Sequence, residues 1–389
     1  MYENVQGRCK RKACEDLTLR PNKIIRTELS TCSSTAKHSD VHNIRKSIYR
    51  ERRKILPPVP KSLDEAIKQV SNLVILTNKN EDFIYVDNVN NIILITCKTN
   101  LNFLCDFNSS DIFGDGTFTY RPSHFYQMYG IHKYVNGFYI PLIIAFLPSK
   151  SFECYRAMWN FICYLCINKI QKNFTSSTIH LDFEIAAHKA FLNVFPYSKI
   201  KGCRFHLGQS WYRKINSLLD LKKLYKNQSC DIAKWSTLFF GLPFLPSNEV
   251  EDAYFDLQNL TPDFKLTNLS EFSDYVFNNY IIEGCPFPPF IWAEPPRDAP
   301  RTTNCAESFH KHFNSQFYSP HPPLTSVIEN LKLIQVKSYL KINEIKKGRI
   351  KPQRKEEKEK SYLHMKRGMR FIFLSNSGNV ACKMGAFGL

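Results

Sequence analysis

The feature that most constrains the fold is a block of β-prone sequence between about residues 82 and 150. Three runs, DFIYVDNVNNIILITC, SDIFGDGTFTY and FYQMYGIHKYVNGFYIPLIIAFLP, are rich in aromatic and β-branched residues. The Asn136-Gly137 pair lies between two β-prone segments and is a strong signal for a tight hairpin. The block therefore predicts a β-meander.

After this block, helical and strand patterns alternate along the chain. SKSFECYRAMWNFICYLCINKIQKN has apolar residues at helical spacing, and STIHLDFE has the pattern of a short apolar strand. The next segments are the helix IAAHKAFLNVFP, the strand YSKIKGCRFHL and the helix GQSWYRKINSLL. This β-β-β-α-β-α-β-α succession predicts a mixed α/β fold.

The remaining sequence suggests further divisions. Residues 1–60 form a basic N-terminal segment that ends in a linker, and the helix SLDEAIKQVSNL, capped by Ser62 or Asp64, opens the domain that follows. We expect the α/β core at 61–215, a helical insertion at 216–298, a further core helix at 299–322 and a basic, helical to disordered tail at 323–389.

Composition narrows the class of partner. The chain has 389 residues, 43% of them hydrophobic, which excludes a disordered chain as a whole. Its net charge of +18 favours a polyanion such as nucleic acid, although a soluble protein with basic tails is the plain alternative. No signal peptide or membrane-length apolar run is found, so the 13 cysteines are expected to be intracellular thiols or metal ligands, and no membrane partner is expected.

Three acids stand out by their positions. Asp115 closes an apolar strand, Asp182 ends the short strand TIHLD, and Glu307 lies on the helix after the insertion. Carboxylates that converge in this way can bridge two divalent ions for phosphodiester chemistry. Each acid also has a structural alternative, which is favoured when the acid is taken alone: a hairpin turn at Asp115, a helix N-cap at Asp182 and an exposed helix face at Glu307.

The ordered motifs resemble the transposase domain of Mutator-like elements. They are DGTF, FYIPLIIAFLP with SFECYRAMWNFI, HLDFEIAAHKAFLNVFP, IKGCRFHLGQSWYRKI and RTTNCAESFHKHFN. The resemblance covers about residues 80–320. No single motif is decisive, but their order is specific to the family.

This resemblance implies an RNase H-like fold, with a mixed five-stranded sheet flanked by helices and a helical insertion before the last catalytic helix. It also implies a two-metal site for Mg²⁺ or Mn²⁺, in which Asp115 and Asp182 bridge both ions and Glu307 holds one. The implied activity is cleavage of terminal inverted repeats and transfer of the freed 3′ ends to target DNA. A homo-oligomer on DNA and a location in the nucleus follow from that activity.

Cys203 and His206 form a Cys-x-x-His pair after the second acid. Two ligands are too few for a structural zinc site, so a buried cysteine beside a core histidine is the alternative from chemistry alone. The resemblance makes the pair a family signature near the active site, with zinc left open. Glu184 is interpreted as a first-turn helix acid, and His180 and His188 as packing or surface histidines.

The N-terminal segment contains a possible second zinc site. Cys9, Cys14, His38 and His42 have an outline that resembles the end of a FLYWCH-type finger. The aromatic opening and the usual His-x-His ending of that finger are missing, so a degenerate finger is the alternative. The basic runs CKRK and YRERRK are candidates for phosphate contacts or nuclear import.

Two other functions compete with an active transposase. A domesticated or decayed relative would bind DNA without cutting it, and the incomplete finger favours that alternative. A nuclease of the same fold would act on RNA–DNA hybrids, although the insertion and the Cys-x-x-His pair argue against it.

Overall fold

The structure of the protein is a computed structural model. It describes residues 2–17, 19–31, 37–106, 111–118, 120–227, 229–262, 267–295, 304–317 and 320–352. The chain divides into two compact units. The first comprises Met1–Ser176, Ala190–Pro196 and Cys305–Arg349, and the second comprises Ser177–Lys189, Tyr197–Asn304 and Ile350–Leu389.

Helices and strands follow one another along both units. The helices are α1 (Tyr2–Glu15), α2 (Pro21–Ser30), α3 (His38–Ile55), α4 (Leu63–Ser71), α5 (Lys98–Asp106), α6 (Phe152–Ile170), α7 (Ile185–Val194), α8 (Arg204–Ser217), α9 (Leu219–Tyr225), α10 (Asp231–Leu238), α11 (Val250–Asn259), α12 (Thr267–Tyr280), α13 (Pro289–Trp292), α14 (Asn304–Asn314) and α15 (Leu324–Lys346). The strands are β1 (Ile84–Asp87), β2 (Ile92–Ile95), β3 (Ile112–Thr117), β4 (Gln127–Val135), β5 (Phe138–Leu147), β6 (Thr178–Leu181) and β7 (Lys199–Gly202).

In the first unit, five strands pair antiparallel in the order β1-β2-β5-β4-β3. A two-residue turn joins β4 to β5, and its residues Asn136 and Gly137 have φ values of 51° and 81°. Positive φ at both central residues is typical of the type I′ turn, whose twist matches that of the strands. The predicted Asn-Gly hairpin is therefore confirmed.

The Asp115-Gly116 pair does not turn the chain. Both residues lie inside β3, where Asp115 pairs with Gly130 and Gly116 pairs with Tyr129 of β4. The strand continues to Thr117 before it ends. The hairpin interpretation of this pair is wrong because the ladder with β4 holds both residues in extended conformation.

Two predicted helices of the first unit are confirmed. Ser62 caps α4, since its hydroxyl oxygen accepts a hydrogen bond from the backbone N–H of Glu65 at 3.1 Å. In α6, the residues at helical spacing include Trp159, Ile162 and Cys166, and all three are buried. The capping residue of α4 and the apolar periodicity of α6 therefore indicated the correct elements, and in α6 the periodicity also indicated the buried face.

α14 and α15 contribute to the apolar core of the first unit. Met128 and Phe146 of the sheet pack in one buried cluster with Phe313 of α14 and Leu331 of α15. Residues 324–346 are helical, as expected for the start of the tail at 323–389, but α15 buries an apolar stripe along its length. Residues 353–389 of that expected tail lie outside the described residues.

The N-terminal segment folds as three helices, which the sequence patterns did not predict. α1, α2 and α3 contact one another pairwise and enclose a small core of their own. Its buried residues are Val5, Cys9, Ala13, Ile24, Ile25, Ile44 and Ile48. The apolar stripe is hard to detect in sequence because α1 builds its share partly from cysteine and alanine between basic residues. We call α1–α3 the N-terminal bundle.

The second unit combines a parallel strand pair with a helical core. β6 and β7 pair in parallel, and Leu181 is opposite Gly202 at their ends. Large side chains from α8 to α13 form one buried cluster that includes Trp211, Trp235 and Trp292. The segment expected as a helical insertion, 216–298, supplies α9–α13 to this cluster, and the preceding helix α8 packs with them.

The fold is of the mixed α/β class, with five antiparallel strands in one unit, a parallel pair in the other and helices around both, so the described residues form seven strands where five were expected. The cysteines within the described ranges form no disulfide and are buried or half-buried thiols. A search of the same ranges for a helix of the length and apolarity needed to span a membrane found none.

Candidate functional site: two acid–histidine pairs

Asp115 lies on a buried stretch of β3 in the first unit. Side chains alternate between the two faces of a strand, so Asp115 shares its face with Phe113. Residues opposite each other in a ladder also share a face, and Asp115 is opposite Gly130. The side chain of Asp115 is only 5% exposed. A carboxylate has therefore been placed in a position where the sheet otherwise carries core residues.

His310 of α14 contacts this carboxylate. Its Nε2 atom lies 3.4 Å from Oδ2 of Asp115, and its side chain is 9% exposed. In the part of the chain that the structure describes, we find no hydrogen bond to the Asp115 carboxylate and none to either ring nitrogen of His310. A buried carboxylate without donors is costly unless a cation accompanies it. Asp115 and His310 are thus a candidate site for a positive charge.

Two small residues make room for this arrangement. A Cβ atom at Gly130 would lie 2.5 Å from Nε2 of His132, so the glycine allows the His132 ring to lie beside Asp115 on the sheet. A Cβ atom at Gly116 would lie 2.8 Å from Oε1 of Gln127. Neither glycine is required by a positive φ. At both positions a neighbouring side chain occupies the space above the strand, so that side chain would have to shift if the glycine were replaced.

His132 lies near the Asp115–His310 pair and is neutral. It is fully buried, its ring stacks on Tyr139 at 4.9 Å between centroids, and the His310 ring lies 6.4 Å away. Burial lowers the pKa of His132 well below its ordinary value, and the charges of His310 and Lys341 lower it further. His132 is therefore a neutral side chain that fills space beside a carboxylate.

Glu307 lies on α14, three residues before His310. Positions i and i+3 are neighbours on a helix surface. The backbone of Glu307 is described as helical, but its side chain lies outside the described part of the structure. The helix expected to carry the third acid is thus present, and its next turn carries the histidine that contacts the first acid.

Asp182 occupies a different environment in the second unit. It follows β6 directly, and its side chain is 51% exposed. Its Oδ1 atom accepts a hydrogen bond from the backbone N–H of Phe183 at 2.6 Å. The Phe183 ring packs on Tyr280 and Phe287, and a Cβ atom at Gly202 would lie 2.5 Å from it. The loop that presents Asp182 is therefore anchored by the residue next to it.

The Cys-x-x-His pair contributes to the surroundings of Asp182. Cys203 is fully buried and its N–H donates to the carbonyl of Leu181 at 2.8 Å, which extends the β6–β7 ladder by one residue. One turn further along, in α8, His206 places Nδ1 3.6 Å from Oδ1 of Asp182. With two residues between them, Cys203 lies at the end of the β6–β7 ladder and His206 lies in the first turn of α8, close to Asp182.

The other residues of this segment have structural roles. His180 is buried in β6, and His188 is buried in α7, so both are packing histidines. The Nε2–H group of His188 donates to the carbonyl of Asp182 at 2.7 Å, and burial lowers the pKa of His188. Glu184 immediately precedes α7, and its carbonyl accepts the first helical hydrogen bond from His188. The N-cap position of α7 is therefore Glu184 rather than Asp182.

Among the described side chains of the predicted N-terminal zinc ligands, Cys9, Cys14 and His42 do not form a group that could hold a metal ion. Cys9 is buried in the core of the bundle and Cys14 is half-buried, whereas His42 is exposed on α3. The side chain of His38 lies outside the described residues. Across the side chains that are described, no group of three or more His, Cys, Asp or Glu residues could hold a metal ion.

Sequence reasoning missed the histidine beside the first acid. The motif NCAESFHKHFN contains Glu307 and His310 three residues apart. A histidine one helical turn from a candidate metal ligand could have indicated that His310 lies near the acids. No sequence signal marked His132, because its position depends on the pairing of β3 with β4.

Comparisons with protein-family models, with curated proteins and with solved structures found no match to this chain. A functional assignment therefore depends on the chemistry of the two acid–histidine pairs and on the element order that positions them.

Proposed function

We propose that the protein is a DNA transposase of the Mutator-like type, with an RNase H-like core, and that it cuts and joins DNA by metal-dependent phosphoryl transfer. Asp115, Asp182 and Glu307 are the metal-binding acids in this proposal. The single observation that carries it is the buried Asp115 carboxylate, which has His310 at 3.4 Å and no hydrogen-bond donor among the described residues. Such a carboxylate needs a cation.

The order of elements supports the same proposal. An antiparallel meander, β3-β4-β5, is followed by the helix α6, and the parallel strands β6 and β7 are connected by α7. This is the order expected of an RNase H-like core. The first acid lies on the first strand of the meander, and the second acid directly follows β6.

The chemistry of the donor set fits divalent ions. Oxygen ligands from carboxylates suit Mg²⁺ and Mn²⁺, and Asp115, Asp182 and Glu307 would supply such ligands. When bound, such ions activate water or a 3′-hydroxyl and stabilise the leaving oxygen. His310 and His206 contact the acids at 3.4 and 3.6 Å and would orient their carboxylates.

The substrate in this proposal is duplex DNA that ends in terminal inverted repeats. Water would first cut the DNA at the element's ends, and the freed 3′-hydroxyl would then attack target DNA. Both steps are direct displacements at phosphorus, so no covalent intermediate with the protein is formed. Joining two ends requires at least a dimer on DNA, and the substrate would place the protein in the nucleus.

The decisive experiment is strand cleavage on duplexes that carry the inverted repeats flanking the coding sequence, with Mg²⁺ or Mn²⁺. We expect Asp115→Asn to lower the cleavage rate by about 1,000-fold or more, because metal binding supplies several kcal/mol of transition-state stabilisation. The matched control is Asp64→Asn on the exposed surface of α4, which removes the same charge and should leave cleavage unchanged.

Equal cleavage by the wild type and Asp115→Asn would overturn the assigned site. Tight binding to the same duplex without cleavage by the wild type would instead favour a transposase-derived DNA-binding protein. A preference for RNA–DNA hybrids over duplex DNA would indicate a nuclease of the same fold.

A further inference from the structure

The N-terminal bundle carries a disproportionate share of the positive charge. Residues 1–60 contain 14 lysines and arginines and 6 acidic residues, so they supply +8 of the chain's net charge of +18. The three helices have a core of their own, which fixes the surface on which these charges are displayed. A dense positive surface on a packed helical module is a candidate contact for a polyanion.

Part of this charge is neutralised inside the bundle. Glu28, which is 3% exposed, pairs with Arg8 at 2.8 Å and also with Lys12. The hydrogen bond from Lys12 holds the pKa of Glu28 below its ordinary value. Glu51 pairs with Lys54 at 3.0 Å and with Lys10 at 3.8 Å. These basic residues stabilise the bundle and are poor candidates for a partner.

Arg52 also has a structural role. It is 8% exposed, and its guanidinium donates to the carbonyls of Ala13, Asp16 and Leu19 at 2.7 to 3.0 Å. These carbonyls lie at and just beyond the end of α1, where a helix leaves acceptors unsatisfied. Arg52 thus ties α3 to α1.

Lys46, Arg50 and Arg53 are three other basic residues of the bundle, and all three are exposed on α3. Their spacing of four and three residues places them on one face of the helix, along about 10 Å of its axis. No ion pair or hydrogen bond involving these side chains is found within the described ranges. Tyr49, 43% exposed, lies beside them. We call Lys46, Tyr49, Arg50 and Arg53 the α3 face.

We propose that the α3 face binds the phosphate backbone of duplex DNA, with α3 lying along the major groove. The groove of B-form DNA admits an α-helix, whereas the major groove of A-form RNA is too deep and narrow for one. A membrane surface is disfavoured because the apolar side of α3, with Ile44 and Ile48, is enclosed in the bundle core.

The choice of DNA over other polyanions rests on the proposed function. DNA binding by the α3 face can nevertheless be measured under conditions in which no cleavage occurs. The full-length protein is titrated into a fluorescent random-sequence DNA duplex in a metal chelator, at several salt concentrations. The variant is Lys46→Gln/Arg50→Gln/Arg53→Gln. Its control is Lys61→Gln/Lys68→Gln/Lys98→Gln, which removes the same charge from exposed positions outside the bundle.

Log affinity falls linearly with log salt concentration, and losing three phosphate contacts should make that slope less steep by about 2.7. The same loss corresponds to about 100-fold weaker binding near 0.15 M salt. The control should keep the wild-type slope, and circular dichroism should show that both variants keep the helical content of the wild type. Binding by the variant that equals binding by the control would overturn the proposal, as would tighter binding to an RNA duplex or to anionic vesicles.

The outcomes separate this proposal from the proposed function. If the wild type cleaves DNA and the α3-face variant binds DNA as tightly as the control does, only the proposed role of the α3 face is overturned. If the α3-face variant binds DNA more weakly than the control but the wild type does not cleave, only the catalytic proposal is overturned.

Discussion

Asp115 and Asp182 have the same kind of partner in two different settings. Each carboxylate has a histidine nitrogen nearby, at 3.4 Å for Asp115 and at 3.6 Å for Asp182, and in each case the histidine comes from a helix. The Asp115 side chain is 5% exposed and the Asp182 side chain is 51% exposed. The first acid is thus surrounded by core, and the second is open to water.

The difference shows that one acid depends on distant segments and the other on local ones. β4 and α14 enclose Asp115, whereas the neighbouring Phe183 and the strand β7 anchor Asp182. Water can solvate Asp182, but the charge of Asp115 has only His310 as a partner among the described residues. The two acids should therefore respond differently to the same substitution.

The largest expected difference concerns the histidines. We expect His310→Gln to weaken both Mn²⁺ binding and cleavage by about 100-fold and His206→Gln by about 10-fold, the range typical of groups that orient metal ligands. His310 has the larger effect because Asp182 also accepts the Phe183 N–H. Mn²⁺ binding is measured by electron paramagnetic resonance and cleavage in the duplex assay. Equal losses in the two variants would contradict the distinction between a buried and a solvated acid.

A smaller contrast is expected in stability. In a metal chelator, Asp115→Asn should raise the free energy of unfolding by about 1 kcal/mol, because it removes a buried charge that lacks donors. Asp182→Asn should change it by less than about 0.5 kcal/mol, as is usual for exposed positions. Urea unfolding of both variants measures the difference. If Asp115→Asn is instead destabilising, the pairing of Asp115 with His310 is a favourable ion pair in the metal-free protein.

The smallest contrast concerns acid sensitivity. Burial lowers the pKa of both His132 and His188, so below about pH 6.5 the unfolded chain takes up protons that the folded chain does not. Stability should therefore fall as the pH drops from about 6.5 to 5, by at most about 1.4 kcal/mol per pH unit for each histidine.

His132→Phe should remove more of that loss than His188→Phe. The hydrogen bond from His188 to the Asp182 carbonyl persists when the ring is protonated, whereas no hydrogen bond to the His132 ring is found within the described residues. Urea midpoints for both variants across this pH range give the comparison. A larger effect of His188→Phe would reverse the order that burial predicts.

Much of the local architecture was predictable. The Asn136-Gly137 hairpin, the Ser62 cap and the buried face of α6 each depend on residues within a few positions of one another. Asp182 was also placed correctly at the end of its strand, because an apolar run that stops at an acid marks the boundary. These features follow from backbone preferences and periodicity, which act over one or two turns.

The environment of the first acid was not predictable by the same means. An Asp-Gly pair taken alone predicts a turn, but the pairing of β3 with β4 holds Asp115 in extended conformation. Cys9 likewise had the spacing of a metal ligand, and the packing of three helices made it a core residue.

The sequence by itself determined most of the strands and helices of the α/β core, the candidate acids and the excess of positive charge. Only the tertiary structure decided that Asp115 is buried beside His310, that α15 belongs to the core and that the basic N-terminal segment is a packed bundle. The physical reason is the range of the interactions. Local preferences act between near neighbours, whereas burial and pairing arise between segments that meet only when the chain has folded.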